Sequence, residues 1–173
     1  VNPQDEQAVA HVLSSLHITV DQGADGMHVA VDGVDVTAQL RTPEVTAIVS
    51  HISAFSTVRD WLLPVQRAHG EAGGVIAEGR DLGTRVFPAA DVKFFLDADL
   101  DTRARRRQRD LLASGHIAPL EQTRQELESR DQRDRLRAIA PLVPAPDAEV
   151  IDSSALTVEE VVGRMMQKIA AKL

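Results

Sequence analysis

No cysteine occurs in the 173 residues of this chain. Its absence excludes disulfide frameworks, thiolate metal sites and cysteine nucleophiles, and it fits a reducing compartment. Aromatics are scarce too, with four Phe, one Trp and no Tyr, so a surface built to stack nucleic-acid bases is not expected. Lysine is confined to Lys93, Lys168 and Lys172. No apolar stretch approaches the ~20 residues of a membrane-spanning helix, and no signal-peptide pattern opens the chain. The expectation is a cytoplasmic protein with no membrane partner. A net charge of −7 argues against general nucleic-acid binding.

What is present is apolar residues at 43%, charged residues at 26% and a peculiar choice of base. Those fractions suit one globular domain with a real core. Sixteen of the 19 basic residues are Arg, and ten of them fall between Arg103 and Arg137. The guanidinium fork matches phosphate oxygens in pairs, so such a cluster in an acidic chain suggests a local anion site. A solvated helix face is the competing reading, because Asp110, Glu121, Glu126, Glu128, Asp131 and Asp134 share the stretch.

Periodicity and punctuation predict the elements. A first helix opens at "NPQDEQAVAHVLSSL", with Asn2 as cap and Pro3 at the first helical position. Alternation at Ile18, Val20, Val29 and Val31, with turns at Gly23, Asp25-Gly26 and Asp32-Gly33, predicts a small antiparallel meander. Helices follow at "TPEVTAIVSHISAF", capped by Thr42, and from Thr57 to His69. Short buried strands are expected at 74–79, within Asp91–Asp99 and at "AEVIDSS". Helices follow the second strand and Pro119, and a last one begins at the Thr157/Glu160 capping box, with Leu156 and Val161 as the accompanying apolar pair. Strands separated by helices predict an α/β fold with a parallel sheet covered on both faces, the meander being an insertion.

In such sheets ligands bind beyond the carboxyl ends of the strands. That edge would carry Glu78 to Thr84, Asp97 to Asp99 and Asp152 to Ser154. Gly79 and Gly83 would let backbone approach a ligand, Arg80 could pair with a phosphate and Asp81 could accept from an amine or hydroxyl. A strand-ending salt bridge would look the same. Arg103, Arg106 and Arg107 share one helix face; Arg130, Asp134 and Arg137 share another if their helix runs unbroken to 137. Asp134 could hold its two arginines extended or hydrogen-bond a ribose hydroxyl, and a surface ion-pair ladder is the plainer alternative. The six histidines lack metal-ligand spacing, and no metal site is expected from the side chains.

The segments "EGRDLGTRVFPAADVKFFLDADLDTRARRR", "ESRDQRDRLRAIAPLVPAPDAEVIDSS" and "RTPEVTAIVSHISAFSTVRDWLLPVQR" together resemble the bacterial cytidylate kinases, a nucleoside monophosphate kinase family, over nearly the whole chain. The resemblance implies a P-loop kinase-like sheet in one domain over 1–173, with a monophosphate-binding region at 17–70 and a lid region at 103–137. It implies transfer of phosphate from ATP, with Mg²⁺, to CMP or dCMP by a monomer. Carried residue by residue, Ser50, Arg59 and Asp81 match positions that read cytosine, a base whose donor amine and acceptors suit a mixed polar set. Arg80 and Arg137 match arginines on the acceptor phosphate, Arg130 and Asp134 the sugar-proximal pair. Arg106 and Arg107 match the lid that closes over the triphosphate, and Arg41 lies near the acceptor site.

One family element is missing. A GxxxxGK[ST] loop requires a Gly-Lys pair, and the three lysines follow Val92, Gln167 and Ala171. In the family the strand before that loop lies between the strands expected at 74–79 and 92–97, so both should present unpaired edges and apolar faces. The expectation is that 1–173 is part of a longer kinase. A CMP-binding module without transfer, or an Arg-rich RNA-interacting protein, are the competing expectations.

Overall fold

The computed structural model describes residues 1–24, 26–71 and 73–172, without the side chains at positions 22, 41, 43, 46, 47 and 50. The described chain divides into two compact units, Val1–His69 and Gly70–Leu173. The region expected to bind the monophosphate falls in the first, and the lid region in the second.

In the first unit, helix α1 spans Glu6–Leu13 and helix α3 spans Ser56–Ala68. They pack on each other, burying Val9 and Val58. The cap of α1 is Asp5, not the expected Asn2: its Oδ1 accepts from the backbone N–H of Gln7 at 3.0 Å and Ala8 at 3.1 Å. Asn2 instead turns the preceding residues, accepting from Gln4 N–H at 3.0 Å. A carboxylate beside the helix's positive end is the better cap. Pro64 lies inside α3 without ending it.

The meander forms as strands β1 (Ile18–Gly23), β2 (Gly26–Val31) and β3 (Val34–Asp35), antiparallel in that order. Asp32 and Gly33 both take positive φ, 50° and 80°, the signature of a two-residue hairpin turn matched to strand twist. Asp25, expected in the other turn, lies outside the described residues. Helix α2 (Pro43–Ile52) starts at Thr42, whose hydroxyl accepts from Val45 N–H at 3.4 Å.

The second unit holds two parallel strands, β4 (Phe94–Asp97) and β5 (Glu149–Asp152), in register from Phe94↔Glu149 to Asp97↔Asp152. Helix α4 (Leu100–Ala113) leaves the end of β4, capped by Asp99. Helix α5 (Leu120–Leu136) returns against α4, and α6 (Val158–Ala170) follows β5 with both halves of its capping box formed. Ala98, Ala104, Ala118, Ala145, Ile151 and Val86 are buried here.

The expected strand at 74–79 does not form; the segment is irregular and joins no sheet among the described residues. Strand identity requires a ladder partner, and β4 gives its described ladder to β5 alone. Ile76 is 99% exposed, and Leu96 and Val150, expected on a covered sheet, are half-exposed. The open apolar face expected at 92–97 is observed at Leu96, whereas residues 74–79 form no strand and so do not present the unpaired strand edge expected of them.

Candidate active site

The strands dictate where charge gathers. Asp97 and Asp152 end β4 and β5 side by side, and their neighbours knot the two ends together. Ser153 donates its N–H and Oγ–H to the Asp97 carbonyl at 2.8 and 3.0 Å. Asp99 N–H donates to Ser154 Oγ at 2.8 Å, and Ser154 Oγ–H donates to Asp152. The Asp99 and Asp152 carboxyls are both held below their usual values, chiefly by donation from Thr102 N–H and from the Ser154 hydroxyl respectively.

Arginines of α4 bolt that helix to the strand ends. Arg103 Nε donates to the Ala98 carbonyl at 2.9 Å while its Nη1 pairs with Asp131 of α5. Arg106 gives Nη1 to Ser153 Oγ at 3.0 Å and Nη2 to the Ser153 carbonyl at 2.7 Å. Arg107 is exposed. The i, i+3, i+4 face is therefore real, but two of its three members grip protein groups.

The second cluster centres on Asp134, which is 4% exposed. Arg80 Nε lies 3.4 Å from its Oδ2, Arg137 Nη2 lies 3.6 Å from Oδ1 and Arg130 Nε lies 4.0 Å from Oδ2. Three guanidiniums around one carboxylate leave an excess of positive charge. Arg130 shows the strain: burial, then the nearness of Arg80, pulls its pKa below the ordinary guanidinium value, with Arg107 adding repulsion. Its Nε is buried, and no acceptor among the described residues lies within hydrogen-bonding distance. Helix α5 ends at Leu136, so Arg137 is not helical as the spacing assumed. It is the extended C-cap residue, φ −58° and ψ 133°, and still reaches Asp134.

Arg80 leads into a tight turn of the i→i+5 type, Leu82–Val86, where Val86 N–H donates to the Asp81 carbonyl at 3.3 Å and Phe87 N–H to the Leu82 carbonyl at 2.7 Å. Such turns favour functional positions because they re-aim side chains over a short span. Glycine at 79 has an internal reason: a Cβ there would come 2.9 Å from Leu82 Cγ.

The structure thus brings Arg80, Arg130, Asp134 and Arg137 together and sets Arg107 near enough to act on Arg130. Arg59 belongs to the first unit, where its Nε donates to the Ser53 carbonyl at 2.6 Å. The side chains of Ser50 and Arg41 lie outside what the structure describes. Sequence reading missed Arg103 and Asp131 as a pair, and Ser153 as the anchor of Arg106. Only the strand-end geometry shows the use of Ser153.

Known proteins resemble this one closely. The profile of the family described as Cytidylate kinase matches residues 1–171. A cytidylate kinase of Klebsiella pneumoniae (strain 342) is 43% identical over 173 residues, all of this chain and 76% of the relative. Those of Enterobacter sp. (strain 638) and Salmonella paratyphi B match at the same 43%, with the same coverage of both chains. With a matching profile along almost its full length and relatives at this identity, the chain belongs to the cytidylate kinase family.

Proposed function

We propose that the chain carries the acceptor half of an ATP-dependent CMP/dCMP kinase, giving ADP and CDP or dCDP, and that the Asp134 cluster receives the acceptor phosphate. The observation that carries this reading is the buried Nε of Arg130, without an acceptor, inside a ring of three arginines. A phosphate supplies the missing acceptor and neutralises the excess charge in one step.

Arg80 and Arg137 take the acceptor phosphate oxygens. Asp134 holds all three guanidiniums in place before the substrate arrives, which lowers the cost of ordering them on binding. A carboxylate offers about four acceptor positions, so Asp134 can also accept from a ribose hydroxyl, with Arg130 beside it. Ser50, Arg59 and Asp81 are assigned to cytosine, and Arg41 to the acceptor side, on the family pattern.

No side chain acts as a nucleophile, because the CMP phosphate oxygen attacks the γ-phosphorus. Transfer depends on alignment and on neutralising charge that spreads over the moving phosphoryl group. Arg106 and Arg107, at the base of the lid, serve that end; Arg107 is the exposed one. Mg²⁺ supplies charge neutralisation when it arrives with ATP. An ion that arrives this way is held mainly by nucleotide phosphates and water. Closing the lid excludes water that would otherwise take the phosphate. The working form is a cytoplasmic monomer whose partners are nucleotides, without nucleic acid or membrane.

The test is a coupled ADP-release assay on the full-length enzyme with CMP, dCMP and UMP, run beside calorimetric CMP titration. Turnover with CMP or dCMP supports the reading. CMP binding without turnover contradicts transfer, and steep salt-dependent RNA affinity without CMP binding contradicts the site itself.

A further inference from the structure

Helix α5 carries the central residues of the proposed site, yet its sequence, "LEQTRQELESRDQRDRL", has almost no apolar stripe. Its only buried residues are Thr123 and Asp134, neither of them apolar. A helix of this kind cannot be set in register by core packing, so polar ties must do it. Its N-cap residue, Pro119, offers no side-chain hydrogen bond.

Among the described residues, two ion pairs join α5 to α4, and they differ. Arg124 and Asp101 meet at 2.9 Å with side chains 38% and 60% exposed. Arg103 and Asp131 are 28% and 14% exposed, so solvent screens them far less. Arg103 also donates Nε to the carbonyl of Ala98, the buried residue that follows β4. One guanidinium thus spans from the strand end to the residue next to Arg130. Only a planar fork with several donors can make both bonds at once.

We propose that Arg103 and Asp131 form a latch that fixes α5 against the end of β4 and so places Arg130, Asp134 and Arg137 for the acceptor phosphate. Both are positioning residues, since their observed contacts are to protein groups. The proposal rests on the site reading above.

The test compares Arg103→Ala, Arg103→Lys, Asp131→Ala, Asp131→Asn and the Arg103→Ala/Asp131→Ala double variant. CMP affinity is read by calorimetry, and KM for each nucleotide and kcat in the full-length enzyme. Arg124→Ala is the exposed-pair control, and Arg137→Ala reports on the site. The latch predicts that each single variant weakens CMP binding about tenfold and that the double variant is no worse than either. Arg103→Lys should not rescue, because an ammonium cannot make both bonds. KM for ATP and the Arg124→Ala variant should stay within about twofold of wild type.

Melting temperatures separate placement from folding. A lowered melting temperature with unchanged CMP affinity, or equal losses for CMP and ATP, overturns the latch. If Arg137→Ala weakens CMP while Arg103→Ala, Arg103→Lys, Asp131→Ala and Asp131→Asn do not, the latch fails and the site stands. If Arg137→Ala leaves CMP affinity unchanged, the site reading itself fails.

Discussion

Arg80 Nε lies 3.4 Å from Asp134 Oδ2, although Arg80 leads into the turn at 82–86 and Asp134 sits inside α5. Through this pair the segment after 79 is tied to the helix that carries the other arginines. Asp134 also takes Arg137 and Arg130, so one buried carboxylate organises three cations.

Removing that carboxylate leaves the cations facing one another in a half-buried place. Asp134→Ala should destabilise the fold by about 3–5 kcal/mol, the range for breaking a buried ion pair. The loss should be partly recovered by millimolar CMP, since a bound phosphate neutralises the same charges. Thermal melts with and without CMP check both statements. Equal recovery by cytidine, which has no phosphate, would count against the explanation.

Glycine at 79 is held by its neighbour. A Cβ would come 2.9 Å from Leu82 Cγ, closer than real contacts allow. Gly79→Ala should therefore push Leu82, shift the turn that follows Asp81, and cost about 1–3 kcal/mol as overpacking does. CMP affinity should fall with it. Chemical denaturation and titration of the same sample give both quantities.

The cap of α4 makes a pH-dependent contribution. Asp99 accepts from Thr102 N–H at 2.7 Å, and this donation holds its carboxyl below its usual 3.8. A folded-state pKa lower than the unfolded one means the stabilisation is present above about pH 4 and lost as pH falls through the folded value. Asp99→Ala should lower the melting temperature at pH 7 by about 2–4 °C. That gap should narrow below pH 3.8, and Asp99→Asn should retain most of the cap. A gap that does not change with pH would remove the carboxylate's role.

Much of this was legible because the signals were local. The Thr157/Glu160 box, the Asp32-Gly33 turn and the β5 run are decided by residues within a few positions of each other. The same holds for the arginine clusters, whose helical spacing placed Arg130 and Asp134 on one face. What failed depended on distant partners. Residues 74–79 read as a strand because Val75, Ile76 and Ala77 are apolar, but pattern cannot provide a ladder neighbour. The division of labour among Arg103, Arg106 and Arg107 was equally hidden, since it depends on where Ala98, Asp131 and Ser153 come to rest.

The central claim is that the Asp134 arginines recognise a phosphate. The most direct measurement is calorimetric titration of CMP and of cytidine into the wild-type protein and Arg137→Ala. The account predicts that wild type binds CMP about 100-fold more tightly than cytidine, as charge-assisted bonds to a phosphate imply. In Arg137→Ala that advantage should fall below about tenfold while cytidine affinity stays within about twofold. An advantage that survives the substitution intact would contradict the assignment of this cluster to the acceptor phosphate.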